Sequence, residues 1–550
     1  MRPLLIGVCG VALVVAAAAS IEQTSQGRRA PARLVAAFDG LGAGFAGPQG
    51  TATLRNPSDN SLAVGRDHIV QTVNSRMAIF TKRGALFDST GRVLYGPVPT
   101  NNVFRGFGGA CEFRNSGDAV VRYDQLAERW LIVMPIFTRG PRRPNEPRAP
   151  RGGEPASVSM VGQEGQPGAA VRLYEPPAVA APVIAPVTAP VAVPVAAATP
   201  RPATPPDSGS YAMCYAISTG PDPFGPYYRY EFVRPLFPDY PRPAVWPDGY
   251  YVPTSTGDDV IEKHACVVDR ARMLRGESAT EQCVVVDGVN FLNNVDLDGQ
   301  QRPPAGAPNI MLAAGGSQLA KIMGDDGIYA WSYHVDWTDP TKTTLAGPVK
   351  IPVAPYHYLC DGQLTNCVPQ PGVERKLDAQ GDKLMARVVY RRIGNRESIV
   401  AVHSVNSIAG GGGVRWYELR LDARDRSRTL RLHQQGTYAP DSFYRWMASP
   451  AMDARGNIGI GYSFGGTPNF AGQRFAGRLP SDPLGELTLR ERVLVNGEAS
   501  QQSTLRWEDY TQTAVDPVDD CTIWYVGDYL RMEATAYSSR IGAFRMPGCT

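Results

Sequence analysis

Five consecutive residues, Arg506-Trp507-Glu508-Asp509-Tyr510, put two acids, a guanidinium and two aromatic rings side by side. Glycosidases work with two carboxyls about 5–9 Å apart, and sugar sites add aromatic platforms and arginine. Glu508 or Asp509 would complete such a pair with Asp248 or Asp441 brought in from elsewhere, beside Arg445. Arg445, Arg506 and Arg540 would clamp a substrate carboxylate, with Tyr510 paired to an acid. A non-catalytic site would use Trp507 and Tyr510 as platforms, with Trp446 and Asp248 as further contacts. The competing reading is architectural: Trp507 and Tyr510 pack between neighbouring sheets, and the acids accept backbone amides.

Other motifs are weaker. Asn294-Val295-Asp296-Leu297-Asp298-Gly299 places oxygen ligands at alternate positions before a turn glycine, which is half of a calcium loop. Ala305 stands where the twelfth-position glutamate would be, so an EF-hand is excluded. Asp296 and Asp298 remain candidates for a looser calcium site on a surface loop; no other cofactor is expected. Gly461-Tyr462-Ser463-Phe464-Gly465 matches a nucleophile-elbow string, but Gly466-Thr467-Pro468-Asn469 follows in place of the helix that this chemistry requires. The six histidines are scattered and form no zinc-binding pair.

These residues need a scaffold, and the chain repeats one grammar to build it. An apolar run ends at Asp, a turn rich in Gly or Asp follows, and a second apolar or aromatic run begins. The pattern holds at Ala63–Gln71, Gly117–Asp124 with Arg129–Val133, Ala244–Tyr251, Ala451–Tyr462 and Ala514–Tyr525. Weaker copies occupy 327–337 and 385–405. Each is a β-hairpin: Asp accepts amides across the turn, glycine takes positive φ, and the next strand buries its apolar side. Amphipathic helices are nearly absent. Radial repetition of small antiparallel sheets protects their edges. The expected fold is therefore all-β, a single β-propeller of about seven blades, with six and eight the neighbouring counts.

Residues 1–20 have the pattern of a signal peptide: Met1-Arg2, an apolar run from Leu4 to Val15, then small residues. Residues 21–50 are expected to be a flexible lead-in, and 51–549 the propeller. Residues 139–207 are dense in Pro and Ala, with Pro182, Pro186, Pro190 and Pro194 evenly spaced. They are expected to form a disordered insertion within one blade. Beyond the signal stand eight cysteines, Cys111, Cys214, Cys266, Cys283, Cys360, Cys367, Cys521 and Cys549. An even count in an exported chain implies disulfides. Chain proximity favours Cys360–Cys367, Cys266–Cys283 and Cys521–Cys549, leaving Cys111–Cys214. A formal net charge of +3 with no basic run argues against nucleic acid, and no stretch is long enough for a transmembrane span.

The stretches Ser449–Ser463, Arg506–Thr511 and Asp516–Tyr525 resemble a group of uncharacterised secreted bacterial propeller proteins, as do Asp222–Tyr227, Asp296–Gly299 and Pro303–Asn309. More loosely, the Asp-turn-Gly hairpins resemble the Asp-box repeats of sialidase-like propellers, with Ile460 at the tryptophan position. The expected function is that of a bacterial propeller, secreted, periplasmic or at the cell surface, acting as a monomer that binds an extracellular glycan or protein without catalysis. The alternative is a sialidase-like glycoside hydrolase or lyase that uses carboxylates near the axis.

Overall fold

The turn Asp453-Ala454-Arg455-Gly456-Asn457 shows how the sequence builds its sheets. Asp453 Oδ1 accepts the amides of Arg455 at 2.9 Å and Asn457 at 3.0 Å, and Gly456 takes φ +82°. The same device recurs at Asp124, which accepts from Leu126, and at Asp516, which accepts from Val518. In each case a carboxylate reverses the chain at the far end of a hairpin.

In this computed structural model, residues 21–54, 57–137, 163–165, 168–172, 211–234, 237–256, 262–316, 323–362, 366–421 and 428–549 are described. Among the described residues seven sets of antiparallel strands follow one another along the chain, the fourth and fifth joined by a parallel pairing of Val295–Asp298 with Val388–Arg391. Their innermost strands are Ser61–Val64, Val120–Asp124, Ala244–Val245, Asn293–Asp298, Val388–Ile393, Tyr444–Met452 and Gln512–Val515. Each packs beside the next, and Gln512–Val515 returns to Ser61–Val64, so the sheets form a closed ring. The protein is a seven-bladed β-propeller, and the sheets are called blades 1 to 7 below. The strand Arg33–Asp39 pairs antiparallel with Ser538–Arg545 and completes blade 7.

The core lies between blades. Ile79, Trp130 and Ile132 fill the space between blades 1 and 2. Tyr215, Tyr230 and Tyr250 join blades 2 and 3, and one larger cluster spans blades 3, 4 and 5. Val400, Trp416, Trp446 and Ile460 join blades 5 and 6, while Phe475, Ile523 and Phe544 join blades 6 and 7. Leu62, Phe80, Trp524 and Ile541 close the circle between blades 7 and 1. Buried ion pairs add to two of these seams: Arg270–Asp124 at 2.7 Å and Lys82–Asp516 at 2.7 Å.

The expectation of a loose lead-in at residues 21–50 is corrected. Glu22–Gln23 pairs with blade 5 beside Thr437 and Tyr438, Arg29 bridges to Leu489 of blade 6, and Arg33–Asp39 completes blade 7. Unpaired outer strands offer ladder groups that a small, polar segment can satisfy without a long apolar run. Residues 1–20 lie outside the described residues. The insertion does fall inside blade 2, between the paired strands Arg129–Ile136 and Tyr211–Ser218. Most of it also lies outside the described residues. Two short stretches within it, Gln163–Gly165 and Gly168–Arg172, pair at the edges of blades 3 and 2.

Four disulfides join Cys266–Cys283, Cys360–Cys367 and Cys521–Cys549, the pairs that chain proximity favours, and Cys111–Cys214, the pair they leave. Among the described residues no helix is long and apolar enough to cross a membrane.

Candidate functional site

The segments that lead into the innermost strands all reach the same end of the ring. Five of them, in blades 1, 2, 3, 5 and 7, carry ionisable residues that meet there. Asp59 stands two residues before Ser61, Asp118 two before Val120, and Asp239 five before Ala244. Blade 5 contributes Asp378, Asp382 and Lys383, and blade 7 contributes Arg506 and Asp509. Asp59, Asp118, Gln380 and Asp509 all have positive φ, between 43° and 69°. The left-handed region suits Asp better than most side chains, and it lets each segment turn sharply inward before its strand begins.

Asp509 is the hub. Its carboxylate accepts from Arg506 Nε at 3.1 Å and from Gln380, and its carbonyl accepts from the Tyr240 hydroxyl at 3.0 Å. Arg506 also lies 3.6 Å from Asp378. Asp378 Oδ1 in turn accepts the Trp507 amide at 3.0 Å. Lys383 donates to Gln380 and lies 3.8 Å from Asp382. Its ammonium sits over the Phe291 ring at 3.9 Å. The Arg242 guanidinium stacks over Tyr240 at 3.2 Å.

Six carboxyls thus meet three cations, with Lys263 further off across the Phe291 ring. Burial, then the charges of Asp239 and Asp509, push the Asp118 carboxyl up to about 8. Burial and the charges of Asp118 and Asp509 hold Asp59 well above the usual carboxylate range. Burial and Asp509 push Asp378 up to about 7. Burial draws Lys383 and Arg242 down.

Several buried atoms here have no hydrogen-bond partner among the described residues. They are all three guanidinium nitrogens of Arg242, the Tyr510 hydroxyl and Asp59 Oδ1; Asp378 Oδ2 and Asp382 Oδ1 have ion pairs alone, with Arg506 at 3.6 Å and Lys383 at 3.8 Å. Native proteins rarely leave buried polar atoms unpaired, and a concentration of them marks a place where something other than the chain supplies partners. Asp118 and Asp239 are half-buried and the Arg506 side chain is 36% exposed, so the rim of this mouth faces solvent.

Below the mouth the axis is filled. Asp296 lies 3.3 Å from Arg122 and 3.4 Å from Arg387, and Asp298 pairs with Arg387. A cavity of about 20 Å³ among these residues has room for little more than a water. This corrects the expected surface calcium loop: Asp296 and Asp298 lie on a buried axial strand, and two guanidinium groups already neutralise them. Among the described residues, the one group with metal-like spacing is His264, Cys266 and Cys283. Its two sulfurs are joined to each other in a disulfide.

The predicted site residues separate. Asp509, Arg506 and Tyr510 belong to the mouth. Glu508 points away into the seam between blades 6 and 7, where it accepts the Asp528 amide at 2.6 Å, Gln473 at 2.9 Å and Ser463 at 2.9 Å. Trp507 is fully buried beside Trp446 and donates to Ser463 at 2.9 Å. Neither tryptophan is a platform; both are core. Arg445 is held by Asp441 at 2.8 Å and Glu491 at 2.8 Å, Arg540 by Asp39 at 2.9 Å, so the imagined trio of arginines is not assembled. Asp248 sits in the first hairpin turn of blade 3, at the opposite end of the ring, and accepts from Tyr251 at 3.2 Å. Ser463 is a strand residue, and Gly461 is there because a Cβ would lie 2.3 Å from the Tyr525 ring. Asp59, Asp118, Asp239, Arg242, Asp378 and Lys383 escape the sequence reading. Their common signal is position, just ahead of an innermost strand.

No protein-family model and no curated protein matches the chain. Among solved structures, it resembles a protein of unknown function from Dyadobacter fermentans at 8% identity and TM-score 0.34, covering 94% of this chain and all of that one. It also resembles a mutant of the NanB sialidase from Streptococcus pneumoniae at 9% identity and TM-score 0.36, covering 80% of this chain and 68% of that one. The WD40 domain of SCAP from fission yeast matches at 7% identity and TM-score 0.34, covering 92% and 98%. The propeller assignment stands on the closed ring of blades, and the site is defined by its own residues.

Proposed function

We propose that this is a secreted, monomeric, ligand-binding propeller, and that a glycan docks at the mouth where the segments leading into blades 1, 2, 3, 5 and 7 meet. The observation that carries the reading is the set of buried donors and acceptors there without a hydrogen-bond partner: the Arg242 guanidinium, the Tyr510 hydroxyl and Asp59 Oδ1. A hydroxyl-rich ligand both donates and accepts, and so satisfies the two kinds together. The filled axis supports binding at the mouth over passage through the ring. Four disulfides and the N-terminal pattern favour a compartment outside the cytoplasm.

A glycan array run beside chromogenic glycosides tests it. Retention of glycans by the wild type, lost in Asp509→Asn with the fold intact, is the expected result. Failure of every glycan to bind overturns the reading. The second reading, glycoside hydrolysis, is favoured by the Asp118 carboxyl, which burial and the charges of Asp239 and Asp509 push up to about 8. A carboxyl kept protonated near neutrality is what a general acid requires. Release of chromophore by the wild type and not by Asp118→Asn would promote it above binding.

A further inference from the structure

We infer that the ligand of the mouth is an acidic sugar, and that its oxyanion, a carboxylate or a sulfate, seats on Arg242; the inference deepens the glycan-binding reading and rests on it. Arg242 is 5% exposed and Tyr510 2%. Among the described residues, the three guanidinium nitrogens of the one and the hydroxyl of the other have no hydrogen-bond partner, and no carboxylate lies within ion-pair reach of Arg242. A guanidinium keeps its proton in a protein, so it does not escape the cost of burial by turning neutral. It needs an anion. The guanidinium carbon lies 3.2 Å from the centre of the Tyr240 ring and 5.7 Å from that of Tyr510. Stacking on a ring uses the face of the group and leaves its N–H fork, which fits two oxygens of one oxyanion.

The acids of the mouth do not supply that anion. Asp509 and Asp378 stand against Arg506, and Asp382 against Lys383. Burial, then neighbouring acids, raises Asp59, Asp118 and Asp239, which favours their uncharged forms. Donors without partners therefore outnumber acceptors: the Arg242 fork and the Tyr510 hydroxyl face Asp59 Oδ1 alone. A neutral hydroxyl brings a donor with every acceptor, whereas an oxyanion only accepts. A bare inorganic anion would leave Asp59 Oδ1 without a partner. An acidic sugar carries hydroxyls within a few bonds of its oxyanion, so a single residue reaches both sets.

The test is titration calorimetry of the full chain at neutral pH with tetragalacturonate, its methyl ester, a sulfated galactose tetramer and sodium sulfate. The expected result is that an acidic tetramer binds about tenfold or more tightly than the methyl ester and than sodium sulfate. The stronger of the two acidic arms tells carboxylate from sulfate, and either upholds the inference. Arg242→Met should abolish the advantage over the ester. Tyr510→Phe, which removes one oxygen, should weaken the acidic arm about fivefold and carries the test if Arg242→Met does not fold. Equal binding of the methyl ester overturns the anionic inference and leaves glycan binding standing. Sodium sulfate bound as tightly as the tetramers overturns the assignment to a sugar. An advantage that survives undiminished in both variants overturns the seat at Arg242. Binding of none of the three tetramers overturns the glycan reading, and this inference with it.

Discussion

The Asp59 amide donates to the Glu508 carbonyl at 2.7 Å. Asp59 leads into the first blade and Glu508 into the seventh, so one hydrogen bond ties the two ends of the ring. It sits between the mouth, where the Asp59 and Asp509 carboxyls face inward, and the buried seam that takes the Glu508 side chain. Closing the ring and assembling the site are the same event.

Stability should fall as pH rises. The carboxyls of Asp118, Asp378 and Asp528 are pushed up to about 8, about 7 and about 7. Each folded carboxyl therefore holds its proton more tightly than the unfolded chain does. The stabilisation is complete below the ordinary carboxylate value of 3.8 and is lost as pH climbs through these higher values. The melting temperature, followed across that window, should decline towards the alkaline side. Asp118→Asn should flatten the decline and outlast the wild type at its alkaline end.

Glu508 should be replaceable by its amide and not by alanine. Burial and the charge of Asp528 hold its carboxyl well above the ordinary range, which favours the neutral form. Glu508→Gln keeps size and neutrality and should leave both ligand binding and stability close to wild type. Glu508→Ala strips partners from Ser463, Gln473 and the Asp528 amide and should cost about 2–4 kcal/mol by denaturant unfolding.

On the axis, Arg387→Ala should be severe. It leaves Asp298 without its guanidinium and Asp296 with Arg122 alone, all in a buried setting. Removing one partner of such a group costs about 3–5 kcal/mol. Because these carboxylates already have cationic partners, a calcium chelator should leave the melting temperature of the wild type unchanged.

The Cys111–Cys214 bridge closes a sequence separation of 103 residues, far longer than the 7, 17 and 28 of the other three. Loop-closure entropy makes it the largest single contributor, about 4–5 kcal/mol. The double substitution to serine should lower stability by that order, whereas opening Cys360–Cys367 in the same way should cost less. Parallel denaturant curves would show the order.

The blades were legible because their signals are local. Asp453, Gly456 and the apolar runs beside them lie within a dozen residues, and a hairpin needs nothing more to announce itself. Three of the four cysteine pairs followed from nearness along the chain for the same reason, and the fourth was the pair they left. The mouth was legible only through Arg506, Asp509 and Tyr510, which sit together in sequence. Its other members come from four more blades, up to hundreds of residues away, and each one alone resembles an ordinary turn aspartate. Glu508, beside Asp509, was misassigned because both residues take positive φ, 57° and 69°, in a turn that sends one side chain to the seam and the next to the mouth, and sequence does not say which goes where. Asp296 and Asp298 looked like loop ligands since the alternation of acids that suits a metal also suits an axial strand facing two arginines.

The strand Arg33–Asp39 belongs to the last blade, yet it is made some five hundred residues before its partner Ser538–Arg545. During synthesis it has nothing to dock on until the ribosome has nearly finished. A chain cut short by premature termination is therefore left with an unmatched sheet edge at its start and another at its finish. Such products are marked for proteolysis or aggregation from birth, and quality control can tell complete copies from partial ones by ring closure alone.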